Sequence, residues 1–312
     1  MAGTRTALFS RNQPGGVFTI ADLEAHPGSI FFVHSGTGTD GAGYGDNPDA
    51  PLASVDYAIG LCTASKGDVI YVMPGHAESF SAADGFDVDK IGIKIIGLGH
   101  GALRPTFTYA DTDATVAVGA ASVYLKNMRF VAGLSAVVVG IDIEAGATDC
   151  TIEDCEFYWG GTTTWDFART VIVRAASHRA TFLNCRFLNE PAVAGNVASV
   201  EIVGATHNCR IIGCEFMGDS SLASVSQITP ACEGLMMIGC LVHNTDAGEP
   251  YLEVTTGTTG IYANNRGQAG GATVAACAVA DSMSSCQNFV TNTKGTIAIN
   301  YGAAGVPALD AD

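Results

Sequence analysis

Six carboxylates crowd one short stretch of this chain: Asp142, Glu144, Asp149, Glu153, Asp154 and Glu156. Arg169, Arg174 and Arg186 follow shortly after. Paired carboxylates can act as acid and base on a glycosidic bond, or hold a calcium ion that works with a basic residue. Asp149, Glu153, Asp154 and Arg186 are the candidate set for such chemistry. The competing reading is a solvated outer face. Asp and Glu number 31 in 312 residues, so a cluster of this size arises easily. Spacing favours the solvated face and assigns no catalytic residue.

Three weaker groups accompany it. Asp40, Asp46 and Asp49 sit in a Gly-rich loop as a calcium candidate, but their spacing is not that of an EF-hand, and no metal or cofactor is implied. Tyr158, Trp159 and Trp165 flank Gly160-Gly161-Thr162-Thr163-Thr164. They suit stacking on a sugar ring or a partner protein, and equally suit covering the edge of a repeat. His76, His178, His207 and His243 fall on different turns of the repeat, and Ser10, Ser35 and Ser54 lack a Gly-x-Ser-x-Gly context. Aromatic residues make up 8% of the chain, which argues against a long glycan-binding groove.

What must position these residues is a repeat. A phrase of alternating apolar residues, then Asn, Asp or Gly, an apolar residue, one variable residue and often Phe recurs along the chain. Thr151-Ile152-Glu153-Asp154-Cys155-Glu156-Phe157 and Thr181-Phe182-Leu183-Asn184-Cys185-Arg186-Phe187 are clear copies. Aligned on Met73, Leu98, Met128, Cys155, Cys185, Cys214, Cys240 and Asn265, the intervals are 25, 30, 27, 30, 29, 26 and 25 residues. A unit this short cannot bury its own apolar face and must stack on its neighbours. Three short strands and three turns need about this length. The predicted core includes Ile95, Leu98, Leu125, Met128, Ile152, Cys155, Phe182, Cys185, Ile211, Cys214, Met237 and Cys240. Cys155, Cys185, Cys214 and Cys240 form an inward ladder of reduced thiols on this register, and no zinc-type pairing of C-x-x-C motifs occurs.

Composition narrows the function classes. The net charge of −16 disfavours nucleic-acid binding. No apolar run is long enough for a membrane span, and the N-terminus lacks a signal-peptide core, so synthesis in a cytoplasm is expected. Residues 1–28 read as an extended docking arm, with Arg5, Leu8, Phe9, Arg11 and Phe18 as its partner-binding side chains. Residues 29–67 hold an entry strand, a loop and a helix near 54–63 capped by Ser54, which covers the open end of the stack. Residues 68–268 form the stack itself. Residues 269–312 read as a C-terminal cap or oligomer contact, with an Ala-rich helical stretch over 272–286 and a last strand over 295–301.

The segments Ser35-Gly-Thr-Gly-Thr-Asp40, Asn47-Pro-Asp-Ala-Pro51-Leu-Ala-Ser54 and Gly67-Asp68-Val69-Ile70-Tyr71-Val72-Met73-Pro74-Gly75-His76 resemble the entry motif of the pectate-lyase-like superfamily. The resemblance covers roughly 30–268. It implies an all-β, right-handed, three-sheet parallel β-helix of about eight rungs, with an N-terminal capping helix and an extended N-terminal arm. That fold serves enzymes, adhesins and viral proteins alike. Within it the chain most resembles tailed-phage virion proteins. The implied function is a non-enzymatic bacteriophage structural protein on the virion surface, a capsid-associated decoration protein held by its arm. Implied partners are other virion proteins such as a major capsid protein, in a homotrimer, without nucleic acid or membrane. The alternative is a phage spike depolymerase or lyase acting on host surface glycan.

Overall fold

A computed structural model describes residues 28–291 apart from 82–83, 192–194, 247–248, 269–276 and 279–282, together with the short strands Asn12–Gln13, Gly16–Val17 and Ile297–Ala298. Each repeat lays down three strands, one in each of three sheets of ten, ten and eight strands, parallel throughout except where Ile297–Ala298 pairs antiparallel with Phe289–Thr291. The chain therefore winds as a three-sheet parallel β-solenoid. Seven turns carry a full strand in every sheet, the last ending at Leu252–Val254. An eighth ends in the two-residue strand Cys277–Ala278. Among the described residues no helix is long and apolar enough to cross a membrane.

One turn shows why the repeated phrase folds this way. Thr151–Glu153 joins the first sheet, Glu156–Tyr158 the second and Phe167–Val173 the third. Ile152, Cys155 and Phe157 point inward and are buried. Asp154 between them takes a left-handed conformation (φ 52°) that bends the chain sharply. The same corner carries Asn127 (φ 55°), Asn184 (φ 51°), Gly213 (φ 64°), Gly239 (φ 67°) and Asn264 (φ 56°). Short polar residues and glycine tolerate that conformation most readily, and Gln287 (φ 52°) takes it in the following turn. The Asn/Asp/Gly position of the sequence phrase is thus a bend.

Strand pairing in register places like on like. Phe130 pairs with Phe157, Phe157 with Phe187, and Phe187 with Phe216. Their rings stack with centroids 5.2, 4.9 and 4.7 Å apart. The cysteine ladder lies beside them. Cys155, Cys185, Cys214 and Cys240 are buried free thiols. Asparagine takes over the same position in later turns. Buried Asn265 donates to Met237 O at 2.9 Å, and Asn288 donates to Tyr262 O at 2.9 Å.

The N-terminal end is closed by local elements. The helix Val55–Leu61 starts where the Ser54 hydroxyl accepts from Tyr57 N–H, and it buries Val55, Ala58 and Ile59. The edge strand Ile30–Val33 does not present a bare ladder. Phe32 N–H donates to Gly45 O and Phe32 O accepts from Leu52 N–H, both at 2.8 Å. Pairing the edge with a loop removes a template for further strands.

Two expectations need correction. Eleven of the twelve predicted core residues are buried inside the stack, but Leu98 is not among them. It packs on the outside of the first sheet with Phe32, Val69 and Tyr71, as Met73 does. The first two turns have longer strands here, Val69–Val72 and Lys94–Gly97, and turn at Gly75 and Gly99 instead. The Ala-rich stretch ending at Cys286 is not helical at its end. Met283–Cys286 adds a strand to the first sheet by pairing with Gly260–Ala263. An exposed sheet edge overrides weak helical propensity.

Candidate functional site

The outer side of the first sheet and its corner with the second sheet hold a groove of about 940 Å³. Lys94, Arg104, Lys126, Asp149, Asp154 and Arg186 line it. Strands of successive turns bring these residues together although they span almost a hundred positions. Three of the four catalytic candidates read from sequence therefore share one groove. The fourth, Glu153, is tied to it through Lys126.

Four carboxylates in and beside the groove, Asp149, Glu153, Glu156 and Glu215, are paired across turns. Glu153 accepts from Tyr124 Oη at 2.6 Å and from Lys126 Nζ at 3.0 Å. Those contacts outweigh its partial burial and hold its pKa below the usual carboxylate range. Glu156 lies 2.8 Å from Arg129 Nε and accepts from Arg186 Nη1 at 3.1 Å. Arg186 Nε reaches onward to Glu215 Oε2 at 2.8 Å. Asp149 accepts from Arg179 Nη2 at 2.7 Å, and this bond depresses its pKa. Further along, Arg174 donates to Asp142 at 2.8 Å and Arg169 to Glu201 at 2.5 Å. A general acid at neutral pH needs a raised pKa. Asp149 and Glu153 are shifted the other way.

The other candidates occupy separate places. Asp40 accepts from Ala53 N–H, Ser54 N–H and the Ser54 hydroxyl at 2.8, 3.1 and 2.7 Å, fastening the entry loop to the helix cap. Asp46 and Asp49 are exposed. Among the described residues no group of three or more His, Cys, Asp or Glu side chains is arranged to hold a metal ion. Tyr158 is half-buried, with the Arg129 guanidinium 4.7 Å over its ring and Trp159 at 5.8 Å. Trp165 is half-buried and packs against Gly160, where a Cβ would lie 2.8 Å from the indole. His76 accepts from Ser35 N–H and contacts Glu78, each at 3.1 Å. His178 and His207 stack on adjacent turns with centroids 4.5 Å apart. Arg5, Leu8, Phe9, Arg11 and Phe18 lie outside the described residues.

A second acidic group escaped the sequence reading. Asp166, Glu190, Asp219 and Asp246 follow second-sheet strands in four successive turns. Asp166 is 2% exposed; Oδ1 accepts from Phe167 N–H at 2.9 Å, and buried Oδ2 has no hydrogen-bond partner. Burial, with Glu190 and Asp219 nearby, pushes its pKa up to about 8. Asp219 is raised too, by burial and then by Asp246. The spacings of 24, 29 and 27 residues match the repeat, which is the signal that identifies the column.

No family model matches the chain, and no curated protein matches it. Solved structures similar to it include a rhamnogalacturonan lyase, 13% identical over 78% of this chain and 75% of that one, with a TM-score of 0.45. Another is the ORF18 protein of Geobacillus virus E2, 13% identical over 77% of this chain and 58% of that one, with a TM-score of 0.37. Neither likeness bears on what this chain does.

Proposed function

We propose that the chain is a non-enzymatic structural protein of a bacteriophage virion, displayed on the particle surface as a rigid solenoid after synthesis in the host cytoplasm. The observation that supports this reading is the use made of the flank carboxylates. Each of Asp142, Asp149, Glu153, Glu156, Glu201 and Glu215 is paired with a cation or hydroxyl from a neighbouring turn. Such pairs bolt one turn to the next. In Asp149 and Glu153 they hold the pKa below the usual carboxylate range, opposite to the raised value that glycoside cleavage by general acid requires. The acidic body suits a particle exterior, where like charge resists clumping. The particle itself comes from the sequence resemblance, with other virion proteins such as the major capsid protein as partners.

In this reading residues 1–28 attach the protein. A chain lacking residues 2–20 keeps its far-UV β signal and is absent from particles assembled with it. Full incorporation of the truncated chain overturns attachment through the arm. A second reading, a glycan lyase or depolymerase, is favoured by one observation: Asp149, Asp154 and Arg186 share a groove with Lys94, Arg104 and Lys126. Loss of polysaccharide cleavage in Arg186→Ala would support it.

A further inference from the structure

The outer face of the first sheet departs from the rest of the molecule in charge. Its nine strands from Val69–Val72 to Met283–Cys286 send alternate side chains outward. Glu153 is the one carboxylate among these outward residues, in a chain with 31 acidic residues. Lys126 and Tyr124 meet its charge. One outward row of the third sheet alone carries Asp87, Asp142, Glu201 and Glu253. The second sheet carries Glu156 and Glu215.

The C-terminal half of this face is also apolar. Leu183 pairs with Ile212, Ile212 with Ile238, and Met236 with Ile261. A one-sided strand should alternate apolar inside with polar outside. Here four successive strands each turn an apolar side chain outward as well as inward, with Thr181 and Arg210 as the polar neighbours in the adjoining row. Leu183, Ile212, Met236 and Ile238 are half-buried, and Ile261 is 43% exposed. A contiguous apolar patch of this kind marks an interaction surface.

We propose that the patch from Leu183 to Ile261 is where a second copy of this chain packs alongside the first. Charge selects the occupant. Two copies each bearing −16 repel wherever carboxylates face one another. On the first sheet they approach with no carboxylate in the patch and only the charge of Arg210 within it. A partner recognised by charge would need more than that one cation here. Apolar residues instead match a copy of themselves, as symmetric contacts require. The inference stands apart from the virion reading, since an enzyme that self-associated would bury the same patch.

Sedimentation velocity of the full chain over a wide range of concentration tests it. The wild type sediments as a multiple of the chain mass. Ile238→Lys weakens association at least about tenfold, the effect of a charge placed in an apolar contact. Ile261→Arg, at a position already exposed and hence safe for folding, does the same. Val138→Lys, exposed on the third sheet, leaves association unchanged. A wild type that is monomeric throughout overturns the proposal and assigns the patch to another occupant, such as residues 299–312 of this chain or a different protein. Association that survives Ile261→Arg also overturns it.

Discussion

Asp166 is the residue whose chemistry is most clearly set by its surroundings. It is buried, one oxygen is unpartnered, and its pKa is raised from 3.8 to about 8. A carboxyl that binds its proton more tightly when folded stabilises the fold fully below its unfolded pKa. That contribution is lost as pH rises from about 4 to about 8, by up to about 5 kcal/mol. Denaturant unfolding at pH 5 and pH 9 checks this. The wild type loses stability between the two, and Asp166→Asn flattens the difference. Parallel behaviour of the two proteins would mean that Asp166 stays ionised at both. The cysteines give a second residue-scale outcome. Burial pushes Cys155 up to about 12 and Cys150 up to about 11. A thiol reagent at pH 8 should find exposed Cys286 quickly in the folded chain, miss the eight buried thiols, and titrate all ten after unfolding without reductant. Missing thiols in the unfolded chain would reveal disulfides.

At the scale of the element, the bend after each first-sheet strand decides whether a turn closes. Asn184 at φ 51° lies over Gly213, where a Cβ would stand 2.6 Å from Asn184 Oδ1. Asn184→Val should cost about 1–2 kcal/mol, because a β-branched residue is strained in that conformation. Asn184→Gly should stay within a few tenths, and thermal unfolding of the pair measures the contrast. Sequence made these bends legible because Asn, Asp and Gly recur between a strand and a cysteine. The inward ladders were legible for the same reason, since one side chain repeats at one spacing. Leu98 and Met73 were misplaced because alignment by spacing cannot see that the first strands run one residue longer. The strand at Met283–Cys286 was hidden by small residues, which take their conformation from the edge they meet. The candidate site was legible only in part. Asp149, Asp154 and Arg186 were named, but their groove depends on Lys94 and Arg104, which come from earlier turns. The cross-turn ion pairs join residues about one repeat apart, and no local pattern announces them.

The described residues form a solenoid whose sides differ in chemistry. Its interior is filled by ladders of Phe and Cys, the second and third sheets carry ion pairs outward, and the first sheet carries a groove at one end and an apolar patch at the other. Like other repeat stacks, it draws stability from contacts between neighbouring turns. Carboxylates committed to those contacts stiffen the rod and are poorly suited to moving protons. On the proposed reading these carboxylates are structural. Incubation of the full chain with bacterial surface polysaccharides, with products analysed for new reducing ends and unsaturated sugars, tests it most directly. Neither product is expected from the wild type. Cleavage by the wild type that disappears in a Glu153→Gln variant of unchanged thermal stability would contradict it.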